Sequence, residues 1–456
     1  MLKNHLAAYF NNADQIWNHI FYWNTQFDLF MSKPATASDK KQSLWAKLGP
    51  GLITGAADDD PSGIATYSQV GAGFGYAILW TAIFTFPLMV GIQTISARIG
   101  RVTGNGLAAN IRKYYPPWLL YVIVLLLLIA NTINIAADIG AMGSALKLLI
   151  GGSTHWYVIS FGVISLLLQI FVPFPFYAPL LKTLTLALLA YVATVFVVKV
   201  PWGEVFYQTL MPSLSLKADY LLAVVAVFGT TISPYLFFWQ ASQEVEDQRE
   251  APGEEPLVTA PEQAVTELKR IRIDTYVGMG FSNLVAFFIM LTAAVTLHQH
   301  AITDIQTSAQ AAEALRPLAG DFAFILFTTG IIGTGLLAVP ILAGSAAYAV
   351  AEACDWPIGL GKELLKARGF YTIIIVATVL GVILNFTSID PIKALFWSAV
   401  INGIISVPVM VVMLLMAVRL DVMGPFVINR WMTSLGWLAA TSMAVVVLAM
   451  LITWVH

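Results

Sequence analysis

Long apolar blocks follow one another from about residue 49 to the C-terminus, separated by short polar stretches. About 20 apolar residues in a row is the length that crosses a hydrocarbon core as a helix. The pattern predicts an all-α membrane protein with eleven transmembrane helices over 49–71, 76–99, 118–148, 156–172, 177–198, 220–242, 276–297, 322–350, 371–389, 394–416 and 435–455. Two of these blocks are interrupted. The first reads TGAADDDPSGIATYSQ over 54–69, which puts Asp58, Asp59, Asp60, Pro61 and Gly63 at mid-span. Acids at that depth are costly and face a cavity, a partner or a pathway. Pro and Gly beside them stop the helix from closing its own hydrogen bonds, which is tolerated only where backbone lines protein or water.

The sixth block is interrupted by FGTTISPY over 228–235, five spans after the first break. One Pro in a span is ordinarily a kink. Two Pro- and Gly-interrupted spans in matching positions point to inverted five-helix repeats with substrate held between the breaks at the midplane. The expected organisation is an N-terminal cytoplasmic or interfacial segment over 1–42, a transporter core over 43–417 built from repeats of about 43–200 and 219–417, and a loop with an added eleventh helix over 418–456.

Composition narrows the class. The chain is 58% hydrophobic and 11% charged, with mean hydropathy +0.77, against about 25% charged residues in soluble domains. A single cysteine, Cys354, excludes an intramolecular disulfide framework and a thiolate-rich metal site. No enzyme constellation is present, no cofactor is expected, and no stretch is suited to nucleic acid. The partners to expect are an inorganic ion and the lipid bilayer, with the chain acting as a monomer. The first residues lack a signal-peptide pattern. Their aromatic content, including Trp17, Tyr22 and Trp23, suits either a helix lying on the membrane or a partly ordered tail.

Nineteen of the Lys and Arg residues fall on the N-terminal side of the predicted spans. Five, Lys147, Lys199, Lys217, Arg316 and Lys393, fall on the other. That imbalance places the N-terminus in the cytoplasm and the C-terminus outside. The acidic run QEVEDQREAPGEEPLVTAPEQ over 243–263 reads as a solvated loop. The Gly-rich run 71–75 has no following Lys and reads as helix termination rather than a phosphate loop.

Several stretches carry a resemblance: Gly49-Pro50-Gly51, Asp60-Pro61, the run 71–76, Ser96 to Gly100 with Val102-Thr103-Gly104, Ala137-Asp138-Ile139, and Gly229 with Thr231 and Pro234. Together they are similar to the NRAMP divalent-metal transporters (natural resistance-associated macrophage proteins). That resemblance, which covers most of the chain from Gly49 onward, implies an amino-acid-transporter-type core of ten helices with broken helices 1 and 6, moving divalent metals with protons in the inner membrane of a bacterial-type cell. It implies metal binding by Asp60 and by the carbonyl of Ala57. The sequence departs from the family where Gly63 stands for an Asn ligand, Ser233 for a Met ligand, and Tyr235 and Gln240 for histidines. On span three Asp138 matches, but Ala141 falls where Glu is usual. The six histidines, His5, His19, His155, His298, His300 and His456, all fall in tails or outer loops.

The candidate ion-binding residues are therefore Asp60, Ala57, Gly63, Thr230, Ser233 and Tyr235, with Asp60, Ala57, Thr230 and Ser233 as metal ligands. Asp59, Asp138, Thr231, Gln240 and Asn402 are coupling or accessory candidates. Each has a plainer reading. Asp60 can be a carboxylate satisfied by neighbouring helix N-termini; Asp58 and Asp59 can line a solvated wall; and Ser233, Thr230 and Thr231 can bond back to the preceding turn. Gln69, Asn131, Asn134, Asn283 and Asn385 read as interhelical glue. Without the soft sulfur, an oxygen-only site suits harder ions such as Mg²⁺ or Mn²⁺. The alternative is a small anion such as bicarbonate, held by the half-helix N-termini and driven by Na⁺ or H⁺.

Overall fold

The computed structural model describes residues 50–172, 183, 186–305, 307–362, 364–387 and 390–455. The aromatic N-terminal stretch, Gly49, Lys182 and His456 lie outside them. The described residues belong to one unit, Leu48–His456.

The first interrupted block is two helices, α1 (Pro50–Asp58) and α2 (Pro61–Phe74). Asp60 is the N-cap of α2, extended at φ −68° and ψ 171°, and Pro61 occupies the first turn. Both choices follow from local physics: Pro lacks the amide that a first turn leaves unpaired anyway, and a carboxylate at the cap accepts from the free amides behind it. Next come α3 (Trp80–Thr103), the short α4 (Leu107–Tyr114), α5 (Pro117–Ile150) and α6 (Thr154–Phe171). The fifth span is described from Leu186 only. It continues as α7 (Leu189–Val197) and, after a sharp bend of 119°, as α8 (Trp202–Leu210). The pattern had this second piece as loop. Pro201 breaks the span, and exposed Phe206 and Tyr207 give the short helix the aromatic face of an interfacial element.

The sixth block repeats the first: α9 (Ala218–Thr231) stops, Ser233 is extended, and α10 (Pro234–Glu250) restarts on a proline. Beyond it lie α11 (Ala264–Thr296), the short α12 (Ser308–Glu313), α13 (Ala323–Cys354), α14 (Arg368–Leu384), α15 (Pro391–Ala417) and α16 (Arg430–Val455). Among the described residues eight helices are long and apolar enough to cross a membrane, counting α9 and α10 as one. Helix α14 is a shorter apolar helix.

The sixth and seventh spans extend beyond their apolar blocks. Helix α10 runs on through the acidic run to Glu250, and α11 starts at Ala264, ahead of the predicted 276. The reading of 243–263 as a solvated loop is corrected for 243–250, which is helix, whereas 251–263 is a connecting stretch that is mostly exposed or half-buried. Glu244 is buried, Arg270 pairs with it and with Glu267 (2.8 Å), and Arg101 pairs with Glu254 (2.7 Å). Opposite charges brought by neighbouring helices let this polar stretch stay helical.

Close backbone contact holds the broken spans against their neighbours. A Cβ on Gly55 would lie 2.2 Å from the Gly278 carbonyl of α11, and one on Gly229 would lie 2.0 Å from the Ala399 carbonyl of α15. Small residues permit this where lipid gives helices no hydrophobic drive to associate. Gly229→Ala should destabilise the protein by about 1–3 kcal/mol through overpacking. The measurement is the thermal unfolding midpoint in detergent, and a midpoint equal to that of the unsubstituted protein would refute the close packing.

Candidate ion-binding site

The two breaks meet. Asp60 Oδ1 accepts from the Gly63 amide at 2.6 Å, which ties the carboxylate to the start of α2. Tyr235, one residue into α10 beyond its proline, donates its hydroxyl to the Ala57 carbonyl at 3.1 Å and lies 3.4 Å from Asp60 Oδ2. Its own carbonyl accepts from Ser345 of α13 at 2.8 Å. Asp60 and Tyr235 are about 2% and 1% exposed, so both hydrogen bonds are shielded from water. Gly63 faces the other break: a Cβ there would lie 3.1 Å from the Asp58 carbonyl and 3.4 Å from Thr230 Oγ1. The structure thus brings Asp60, Ala57, Gly63, Thr230 and Tyr235 together.

Ser233 sits at the second break, but its hydroxyl turns back to the Gly229 and Thr230 carbonyls at 2.7 and 2.9 Å. Thr231 likewise donates to Val227 (2.7 Å) and meets the Tyr67 hydroxyl at 3.0 Å. These two hydroxyls follow the plainer reading, stabilising the end of α9. Gln240 is further along α10, donating to Thr275 at 3.1 Å, and so stands away from the breaks. Asn402 is buried on α15 beside Gly403, which packs on Gly229, and its side-chain oxygen has no hydrogen-bond partner.

Asp138, on α5, is fully buried with neither oxygen in a hydrogen bond. Asp58 and Asp59 do not form a solvated wall. Both are buried, and Ser282 of α11 lies 2.5 Å from Asp58 Oδ2 and 3.3 Å from Asp59 Oδ1. One hydroxyl carries one proton, so Ser282 can serve only one of the two carboxylates at a time.

Ser282 went unnoticed in the sequence, as did Ser62, which reaches the Leu395 carbonyl (2.9 Å) and Ser398 (3.0 Å) of α15. A single small hydroxyl in an apolar helix leaves no pattern. The glue reading fits Asn131, which bonds the Leu342 carbonyl (2.9 Å), and Asn385, which bonds the Ala136 carbonyl (2.7 Å). Described histidines are engaged elsewhere: His298 at the Ala72 carbonyl (2.6 Å), His300 at Thr296 (2.8 Å) and His155 stacked on Phe386. Among the described residues no three His, Cys, Asp or Glu side chains converge as a metal-binding group. What the junction offers is the Asp60 carboxylate, held by the Gly63 amide, together with backbone carbonyls and hydroxyls.

A membrane bundle whose two interrupted helices meet around a buried carboxylate defines a transporter of the broken-helix class. The comparisons specify it: the model of the natural resistance-associated macrophage protein-like family matches residues 51–453, and the chain belongs to that family. It is 26% identical over 402 residues to a divalent metal cation transporter MntH of Klebsiella pneumoniae, covering 86% of this chain and 90% of that one. It is 27% identical over 415 residues to the MntH of Acidiphilium cryptum, covering 88% of each. The fold is shared with the Eremococcus coleocola manganese transporter, at a TM-score of 0.71 and 19% identity over 92% of this chain and 88% of that one. It is shared more distantly with Mhp1, a nucleobase-cation-symport-1 family transporter, at 0.54 and 14% over 89% and 92%.

Ser282→Ala should leave Asp58 and Asp59 without this donor and cost about 1–3 kcal/mol of stability. Thermal unfolding in detergent measures this, and an unchanged midpoint would show that the two acids are satisfied by other means.

Proposed function

We propose that the protein is a secondary transporter of a divalent cation, working by alternating access and favouring hard ions such as Mg²⁺ or Mn²⁺ over soft transition metals. The observation that carries this reading is the meeting of the two breaks on Asp60, the Ala57 carbonyl and the Tyr235 hydroxyl. Thr230 completes an oxygen-only set from across the junction. Thiolate, thioether and imidazole groups favour softer metals, whereas carboxylate, carbonyl and retained water suit Mg²⁺ and Mn²⁺. Ser233 serves this site by fixing the end of α9. Asp138 and Asn402, buried with unpaired oxygens, are the coupling candidates.

The bicarbonate reading relies on free amides at the half-helix N-termini. At α2 the Gly63 amide is already taken by Asp60, which weighs against an anion there. We place the N-terminus in the cytoplasm, the C-terminus outside and the protein in the inner membrane of its cell, acting as a monomer, on the distribution of Lys and Arg and on the family. Within it, 43–200 and 219–417 form the two repeats, and 1–42 and 418–456 the flanking segments.

Flux into proteoliposomes, measured with Mn²⁺, Mg²⁺, Na⁺ and bicarbonate in parallel, tests the substrate. Divalent-cation uptake is expected, and Na⁺-dependent anion uptake without it would overturn the proposal. Asp60→Asn should reduce divalent-cation binding, measured by isothermal titration, by at least about tenfold while the protein remains monodisperse, because a charge-assisted ligand is lost. Transport at the unsubstituted rate in that variant would remove Asp60 from the site.

A further inference from the structure

Both broken spans have an inner half, α1 and α10, and both halves are held by one turn of α11. Asp274 accepts from the first amides of α1, Gly51 at 2.6 Å and Leu52 at 3.0 Å. Arg270, one helical turn earlier, pairs with the buried Glu244 of α10 and with Glu267 on its own helix. Thr275 accepts from Gln240 of α10 at 3.1 Å. Behind these bonds Gly278 lies directly on the α1 backbone, where a Cβ would come within 2.2 Å of the Gly51 carbonyl. We infer that Arg270 and Asp274 form a clasp on α11 that holds the two inner half-helices closed together, so that opening towards the side bearing Arg101 and Arg270 requires both contacts to break.

The chemistry supports a switch rather than a passive surface contact. Glu244 and Asp274 are fully buried: removing Arg270 leaves the Glu244 carboxylate without its counter-charge, and removing the Asp274 carboxylate weakens its bonds to the Gly51 and Leu52 amides. Residues 270 and 274 stand on the same helix face, so a single displacement of α11 releases α1 and α10 together. The network also reaches the end of α3: Glu267 lies 3.6 Å from Arg101, whose carbonyl accepts from Leu257 at 3.3 Å. Elsewhere on α10, Ser242 bonds Glu352 of α13 at 3.0 Å and the Leu360 amide reaches Glu246 at 2.8 Å. These contacts anchor only α10, whereas the α11 turn joins both halves.

This inference rests on the alternating-access reading, and its test needs no cargo. In a Cys354→Ser background, Thr54→Cys places a fully buried thiol on α1. Its labelling by an impermeant maleimide in inside-out vesicles reports opening on the proposed cytoplasmic side. Arg270→Gln and Asp274→Asn should each speed labelling by more than about tenfold. Arg270→Lys should stay within a few-fold of background, and the exchange Glu244→Arg with Arg270→Glu should restore slow labelling. Labelling unchanged in both single variants, or fast labelling that the exchange does not reverse, would overturn the clasp. In the otherwise unchanged protein, hydrogen exchange of 50–58 and 234–250 should occur as one cooperative event; widely separated exchange of the two segments would also overturn it. A clasp that fails these tests beside intact divalent-cation flux leaves the transport reading standing. A clasp that passes beside absent flux condemns only the substrate.

Discussion

Interrupting a helix inside a hydrocarbon layer frees backbone amides and carbonyls that no water is present to satisfy, and each unsatisfied group costs several kcal/mol in that medium. The architecture answers that constraint twice in the same way. At the first break Asp60 caps α2, Pro61 removes one amide, and Tyr235 donates to the Ala57 carbonyl. At the second, Ser233 returns its hydroxyl to the Gly229 and Thr230 carbonyls and Pro234 again removes an amide. At the first break the groups that close it, Asp60, the Ala57 carbonyl and the Tyr235 hydroxyl, are the groups proposed to meet the ion. Under that proposal an arriving cation competes with the hydrogen bonds that hold the first break, which couples occupancy of the junction to the geometry of the half-helices.

The half-helices gain their positions from backbone contact rather than from large side chains. Gly55 and Gly278 join α1 to α11, and Gly229 and Gly403 join α9 to α15. Close approach of this kind is worth more in lipid than bulky apolar packing, since lipid tails already match a leucine. Helix α11 also carries the outer half α2, where a Cβ on Gly71 would lie 2.3 Å from the Met290 carbonyl. The inner pair is fixed through charge on α11, and the outer half α2 through Ser62 on Leu395 and Ser398 of α15. Charge thus grips the inner halves, and hydroxyl and backbone contacts grip the outer half α2.

Much of this was legible in the chain. Block length fixes where most of the membrane helices lie, and the two Pro-bearing interruptions mark the junction with Asp60 in it. Three things were not legible, each for a physical reason. The direction of a hydroxyl is a rotamer choice, so nothing in the string showed that Ser233 turns into its own helix. A lone polar residue such as Ser282 adds no periodicity, so its service to Asp58 and Asp59 emerges only when α11 is packed on α1. The run from Gln243 reads as solvated because its counter-charges, Arg101 and Arg270, are distant in sequence and arrive only with the fold.

Gly63 and Ser233, the two departures at the family's ligand positions, act on the junction in one direction. Under the proposed reading, the lost Asn and Met side chains would have supplied ligands close enough to replace water. Asp60 alone, with one oxygen committed to the Gly63 amide, cannot offset the dehydration of a small divalent ion. Such an ion keeps several waters, and those waters need room and hydrogen-bond partners. Gly63 lets the two breaks approach closely, since a Cβ there would already lie 3.1 Å from the Asp58 carbonyl and 3.4 Å from Thr230 Oγ1, and the hydroxyls and carbonyls at this junction are partners of the kind that bound water uses. Under the proposed reading, selectivity arises from size and hydration rather than from ligand softness, and Tyr235, which lies between the Ala57 carbonyl and Asp60, sets how much of the hydration shell the junction admits.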